Sequence, residues 1–173
     1  DTVDELIDAL VLFQSIDPDR TKVTRSAVLF GNGGGTSVLA ADAFARRGLD
    51  VSRMAADAIA ALEALRLPPG TSVVNPIDTR AATLRQEEGM IAGRILQTVF
   101  ELARPDSVVM HVNLAVFLSA TDQRSDIVGN LMQAALSVRP SRSDSPHFLL
   151  VLRSDGAPAT EALKAGAREE AQL

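Results

Sequence analysis

The chain has 173 residues, 46% hydrophobic and 23% charged, with a net charge of −5. That composition excludes a disordered tail or a collagen-like repeat, and a single domain of this length buries roughly 70% of the surface its unfolded chain exposes. Cysteine is absent, which removes disulfides, iron–sulfur clusters, thiol nucleophiles and thiolate zinc sites and fits a cytoplasmic location, while the acidic balance and 3% aromatic content argue against nucleic acid, anionic membranes and base-stacking platforms.

In chain order, Val3 to Phe13 places Leu6, Leu10 and Phe13 on one helical face, with Val3 a turn earlier. Ser26 to Phe30 is an apolar run stopped by Gly31 and predicts a buried strand. Gly31 to Thr36 forms a glycine-rich turn, Ser37 to Arg47 a helix closed by Gly48, and Ala55 to Arg66 a second helix ended by Pro68-Pro69-Gly70. Ser72-Val73-Val74 reads as a brief strand running into Asn75-Pro76-Ile77-Asp78, followed by one long helix over Thr83 to Ala103. Ser107 to Val112 is the next buried strand, Asp122 to Val138 a helix, Arg139 to Pro146 a polar loop, His147 to Leu152 a strand and Ala157 to Gln172 the last helix. Alternating strands and helices, with near-continuous apolar strand runs, predict a doubly wound, mostly parallel α/β sheet covered on both faces. The longest apolar stretch, Ser107 to Ala120, carries His111 and Asn113 and falls short of the about eighteen residues a membrane span needs. Both ends read as cut from a longer polypeptide.

Chemistry concentrates at two strand ends. The first is Asn32-Gly33-Gly34-Gly35-Thr36-Ser37. Glycines let the backbone approach a ligand, and the helix that follows presents unpaired N–H groups and a positive dipole end. Thr36 and Ser37 can cap that helix or donate hydroxyls to an anion. The run is neither a Walker A motif nor a proper Gly-x-Gly-x-x-Gly, and a ligand-free tight turn is the plainer reading. The second is Asn75-Pro76-Ile77-Asp78, either a rigid turn or, if its strand lies beside the glycine turn, a source of Asn75 and Asp78 for the same crevice. His111 and His147 lack metal-ligand spacing, so no metal site is expected. Glu87, Glu88, Asp122 and Asp126 read as solvated charge, and Arg139 and Arg142 as part of a basic loop.

Gly34-Gly35-Thr36-Ser37-Val38-Leu39-Ala40-Ala41-Asp42 resembles the Gly-Gly-Pro-Gly-Val-Leu-Ala-Ala-Asp stretch of nucleoside-diphosphate-forming acyl-CoA synthetases, the relatives of succinyl-CoA synthetase. Gly48-Leu49, Asn75-Pro76-Ile77-Asp78 and the leading Asp4-Glu5-Leu6 helix resemble that family's elements in the same order, over about Asp4 to Asp78. The resemblance implies a flavodoxin-like three-layer sandwich, with residues 1–173 forming one ligase domain of a multidomain enzyme. Such enzymes interconvert acyl-CoA, NDP and phosphate with a carboxylic acid, CoA and NTP, using Mg. The parent's CoA-binding and ATP-grasp domains, and the segment carrying its phosphohistidine, would be this domain's partners. No catalytic residue and no cofactor is then expected within this domain itself. Its glycine turn, Asn32 to Ser37, would present a helix N-terminus to the phosphohistidine. Thr36 and Ser37 depart from the family's Pro and Gly. The alternative is a diverged binding or regulatory module of the same fold.

Overall fold

The run Ala27-Val28-Leu29-Phe30-Gly31 has no polar side chain, and it forms the fully buried strand β1 (Ala27–Gly31) inside the sheet. The structure, a computed structural model, describes residues 2–15, 21, 23–119, 127–138 and 146–171. Three further strands, β2 (Ile77–Asp78), β3 (Ser107–Asn113) and β4 (His147–Arg153), complete a sheet of order β2-β1-β3-β4. Every pairing is parallel, and the architecture is the α/β class expected from the apolar strand runs, in the flavodoxin-like form that the family resemblance implied.

The helices are α1 (Val3–Ser15), α2 (Gly34–Arg46), α3 (Ala56–Ala64), α4 (Ala81–Leu84), α5 (Ile91–Thr98), α6 (Leu114–Ser119), α7 (Ile127–Ser137) and α8 (Pro158–Ala171). Val28, Phe30, Val108, Met110 and Val112 point to one side of the sheet, into a core built with α3, α5 and α7. Leu29, Val109 and Leu149 share a row on the opposite side, where α2 lies. Coverage there is uneven. Leu29 is buried, but Leu149 and Val151 are 41% and 44% exposed, so β4 has one open face where full cover was expected.

Two elements differ from the sequence reading. The expected helix over Thr83 to Ala103 is broken: α4 gives way to a 3₁₀ turn, Gln86–Gly89, then α5 and a π-helical turn, Val99–Ala103. Glu87, Glu88 and Gly89 all have positive φ, at 53°, 54° and 96°, and a left-handed run cannot continue a right-handed helix. Arg94 Nη1 donates to Glu87 Oε1 across the kink, at 2.6 Å. Both glutamates are exposed, as expected. The helix expected from Asp122 is seen from Ile127; Asp122, Asp126, Arg139 and Arg142 lie outside the described residues.

The second difference concerns the edge of β1. Ser72-Val73-Val74 is not a sheet strand; Ser72 forms an isolated antiparallel bridge with Asp78, and β2 itself is only Ile77–Asp78. That short strand reaches Phe30 and Gly31 alone. The remaining edge groups of β1 are met in other ways: the Ala27 N–H donates to Asp50 O at 2.9 Å, and the Asn75 amide serves the rest. Asn75 Nδ2 donates to Ala27 O at 2.8 Å and to Ser52 O at 3.1 Å, while its Oδ1 accepts the Leu29 N–H at 3.0 Å. A side-chain amide has a peptide's donor and acceptor, so Asn75 extends the ladder where no strand does. Asn75→Ala is expected to lower stability by about 1–3 kcal/mol, the usual cost of orphaning buried backbone groups. Urea denaturation checks this, and an unchanged midpoint contradicts it.

Candidate functional site

β1 leads to one side toward β2, while β3 lies on its other side. Their carboxyl ends therefore frame a topological switch point, the usual ligand position in an open parallel sheet. At this point the chain leaves Gly31 as Asn32-Gly33 and enters α2 at Gly34. Gly31 admits no side chain, because a Cβ there would collide with the His111 carbonyl. Gly33 has φ 152°, a conformation glycine takes readily. Gly34 and Gly35 are the first helical residues, and nothing lies within 4 Å of a Cβ built on Gly35. The conformational demand thus falls on Gly33.

The N–H groups of Gly34, Gly35 and Thr36 open α2, where a helix has no carbonyls of its own to offer them. Thr36 and the buried Ser37 face inward rather than capping: α2 has no side-chain cap hydrogen bond. With His111, Leu29, Phe44, Val109 and Val151 they border a cavity of about 190 Å³ between α2 and the sheet.

Asp78 is brought to the turn as the crevice reading required. Its Oδ1 accepts the Gly33 N–H at 3.3 Å, and its Oδ2 would stand 2.6 Å from a Cβ on Gly34. β2 positions it there through the pairing of Asp78 with Gly31, and the Thr79 N–H, donating to Gly31 O at 2.8 Å, holds the exit. A carboxylate therefore stands beside the positive end of α2, where a negative charge is favoured.

Two expected site residues are used elsewhere. Asn75 lies along β1 at the level of Ala27 to Leu29, below the carboxyl end, so it does not line the crevice. Asn32 is at the switch point but is 97% buried. Its Oδ1 accepts the Asn113 N–H at 2.7 Å and its Nδ2 donates to Asn113 O at 3.3 Å. Both polar ends of its side chain thus tie β1 to β3, and an anion would be met by the backbone beyond it.

No family model matches the chain, and no curated protein matches it. Among solved structures, it is similar to PH0766 from Pyrococcus horikoshii OT3, with 21% identity, a TM-score of 0.60, and 84% of this chain and 30% of that chain covered. It is also similar to the dinucleotide forming acetyl-coenzyme A synthetase 1 of Ca. Korarchaeum cryptofilum in its apo form, with 16% identity, a TM-score of 0.56, and 86% of this chain and 29% of that one covered. The same synthetase in complex with phosphate and ADP gives 16% identity and a TM-score of 0.55, over 84% of this chain and 28% of that one. The fold is one found within an acetyl-coenzyme A synthetase. This chain spans less than a third of the length of each of those structures.

The sequence reading passed over His111 as a strand residue. In the structure its Cε1 lies 3.8 Å from a Cβ built on Gly33, and its Nδ1 is buried without a hydrogen-bond partner among the described residues. The signal was its register: His111 pairs with Gly31 and Val151, and Asn113 with Arg153, so the end of β3 meets the turn. Burial, reinforced by the Arg153 charge, pushes the His111 pKa below its ordinary 6.5, leaving a neutral ring at pH 7. The unfolded chain takes up this proton near pH 6.5 while the folded one resists it. The stability that depends on the neutral ring is therefore complete above about pH 6.5 and lost as pH falls below it. The urea midpoint should fall between pH 7.5 and pH 5.5, with a smaller fall in His111→Gln. Equal falls in both proteins contradict the assignment.

Proposed function

We propose that this chain is one domain of a nucleoside-diphosphate-forming acyl-CoA synthetase, and that the start of α2 receives a phosphohistidine supplied by a neighbouring domain. The observation that carries the reading is a coincidence of place. A fold found within an acetyl-coenzyme A synthetase has its glycine turn at the switch point, with the N–H groups of Gly34, Gly35 and Thr36 opening α2 above it. Oriented backbone donors stabilise phosphoryl oxygens without moving, which is how positioning and electrostatics support phosphoryl transfer. The residues fit a phosphoryl group at Gly34 to Thr36. They offer it no partner at Asn32, whose amide is tied to Asn113. CoA, ATP or ADP and Mg belong in this reading to the CoA-binding and ATP-grasp domains. Among the described residues no group of His, Asp or Glu is placed to hold a metal, and no helix is long and apolar enough to cross a membrane.

Within this chain the roles divide. Gly33 makes the turn into α2, the open space at Gly35 admits the ligand, and the Asp78 carboxylate fixes the turn through the Gly33 N–H. The same carboxylate supports the second reading, a diverged binding module, because it sets a negative charge where the anion would approach.

Gly35→Val separates the two in the polypeptide that naturally contains this domain. Gly35 is helical and has room for a side chain, so the variant should fold. The branched side chain would stand over the N–H groups, and the phosphohistidine formed from labelled nucleotide should fall about tenfold or more, the equivalent of about 1.4 kcal/mol or more of lost anion stabilisation. Asp57→Ala, in the first turn of α3, is the control and should phosphorylate normally. Normal phosphorylation in a folded Gly35→Val protein contradicts the proposal. So does turnover of acyl-CoA, ADP and phosphate by residues 1–173 alone.

A further inference from the structure

The side of the sheet that carries α2 has room for a second helix. β1 is covered there, but the row continues through Val109 to Leu149, and from His111 to Val151, and both β4 residues stand open. The 190 Å³ cavity lies in this trough, between α2 and the exposed part of the sheet. A second exposed apolar surface lies on α1. Val3, Leu6, Leu10 and Phe13 follow a 3-4-3 spacing that puts them on one helical face, and each is more than half exposed. An apolar helix face and an apolar sheet face, both in water, therefore belong to one chain.

We propose that the occupant of this trough is α1 of the same chain, lying antiparallel to β3 and β4. Three observations select it. First, the dimensions agree: thirteen helical residues measure about 20 Å and the seven residues of β4 about 23 Å. Leu6 and Leu10 are spaced by about 6 Å along a helix, close to the roughly 7 Å between Leu149 and Val151. Second, the connection allows it: eleven residues separate Ser15 from Ala27, a reach of up to about 36 Å, enough to return to the start of β1 from a helix lying along the trough. Third, the charges agree. The α1 sequence holds Asp4, Glu5 and Asp8 and no Lys or Arg, and its antiparallel placement brings that acidic beginning to the carboxyl end of the strands, where Arg153 ends β4. Docked in this way, α1 closes the open side of the cavity beneath the glycine turn.

The absence of native cysteine makes disulfide trapping in the 173-residue chain a direct test. The antiparallel arrangement pairs Leu6 with Val151 and Leu10 with Leu149. All four positions are exposed, so the double variants L6C/V151C and L10C/L149C should fold, which circular dichroism verifies. Under mild oxidation each should form an intramolecular disulfide, read as a loss of two hydrogens by mass and a faster band on a non-reducing gel. The rate should not depend on protein concentration. The variant L6C/M90C, whose second cysteine follows the kink on the opposite side of the sheet, should stay reduced. If both pairs stay reduced in the folded monomer, the proposal is overturned. If they cross-link only between molecules, it is also overturned, and the trough is then the seat of a second copy.

Discussion

The structure turns on how β1 completes its hydrogen bonding. A strand inside a parallel sheet needs partners along both edges, and β2 supplies them for only its last two residues. The Asn75 side chain and the Asp50 carbonyl make up the difference, and a second asparagine extends the opposite edge. Asn75 completes the edge toward β2, and Asn32 continues the pairing with β3 past the last ladder position. Each amide stands in for a missing peptide unit. Because Asn32 holds the carboxyl ends of β1 and β3 together, the crevice at the switch point starts above it. The Asp106 carboxylate does a similar task at the other end, where its Oδ2 accepts the Arg25 and Ser26 N–H groups at 2.8 and 2.9 Å. Those bonds hold the Asp106 pKa below the usual carboxylate value.

That anchoring decides what the glycine turn offers. The first N–H, on Gly33, already donates to Asp78, and the donors at Gly34, Gly35 and Thr36 remain for a ligand. Two effects then oppose each other. A helix start stabilises an anion by up to about 2 kcal/mol when partly buried. A carboxylate on the order of 5 Å away repels a unit negative charge by up to roughly 3 kcal/mol at an effective dielectric constant near 20, and by less where solvent and salt screen it. If the opening of α2 is a phosphate site, as proposed, the two effects are of similar size and free phosphate should bind weakly. In the proposed synthetase, a phosphoryl group carried on a neighbouring domain would arrive at a high effective concentration and would need little affinity of its own. On that proposal, the arrangement would suit a tethered visitor better than a diffusing one.

Much of the fold was legible because the strands carry their own signature. Ala27 to Gly31 and Ser107 to Asn113 are apolar runs bounded by turn residues, and burial on both faces of a parallel sheet leaves that mark. Gly48 closes α2 with φ 81°, as its place after the apolar pattern indicated. The misreadings have physical origins. Val73 and Val74 have strand propensity, yet the register that buries Ile77 moves the pairing three residues on. The turn Gln86–Gly89 is built of good helix formers apart from its glycine, so nothing local announced a left-handed run. At the site, Asp78 and the glycine turn were found together. Asn32 reads as a ligand group and Asn75 as either a turn residue or a crevice-lining one, because a polar residue at a strand end looks the same whether it faces a ligand or a neighbouring backbone. His111 was missed because its importance lies in register, which only the paired sheet reveals.

On the function proposed above, the opening of α2 is an anion site held in check by Asp78. The most direct measurement is a titration of the isotope-labelled chain with inorganic phosphate, following backbone amide shifts in the native protein and in Asp78→Asn. The expected shifts centre on Gly34, Gly35 and Thr36, weak in the native protein and saturating at about tenfold lower phosphate in Asp78→Asn, the effect of removing roughly 1.4 kcal/mol of repulsion. Shifts centred elsewhere, or none at these three amides in either protein, would contradict it.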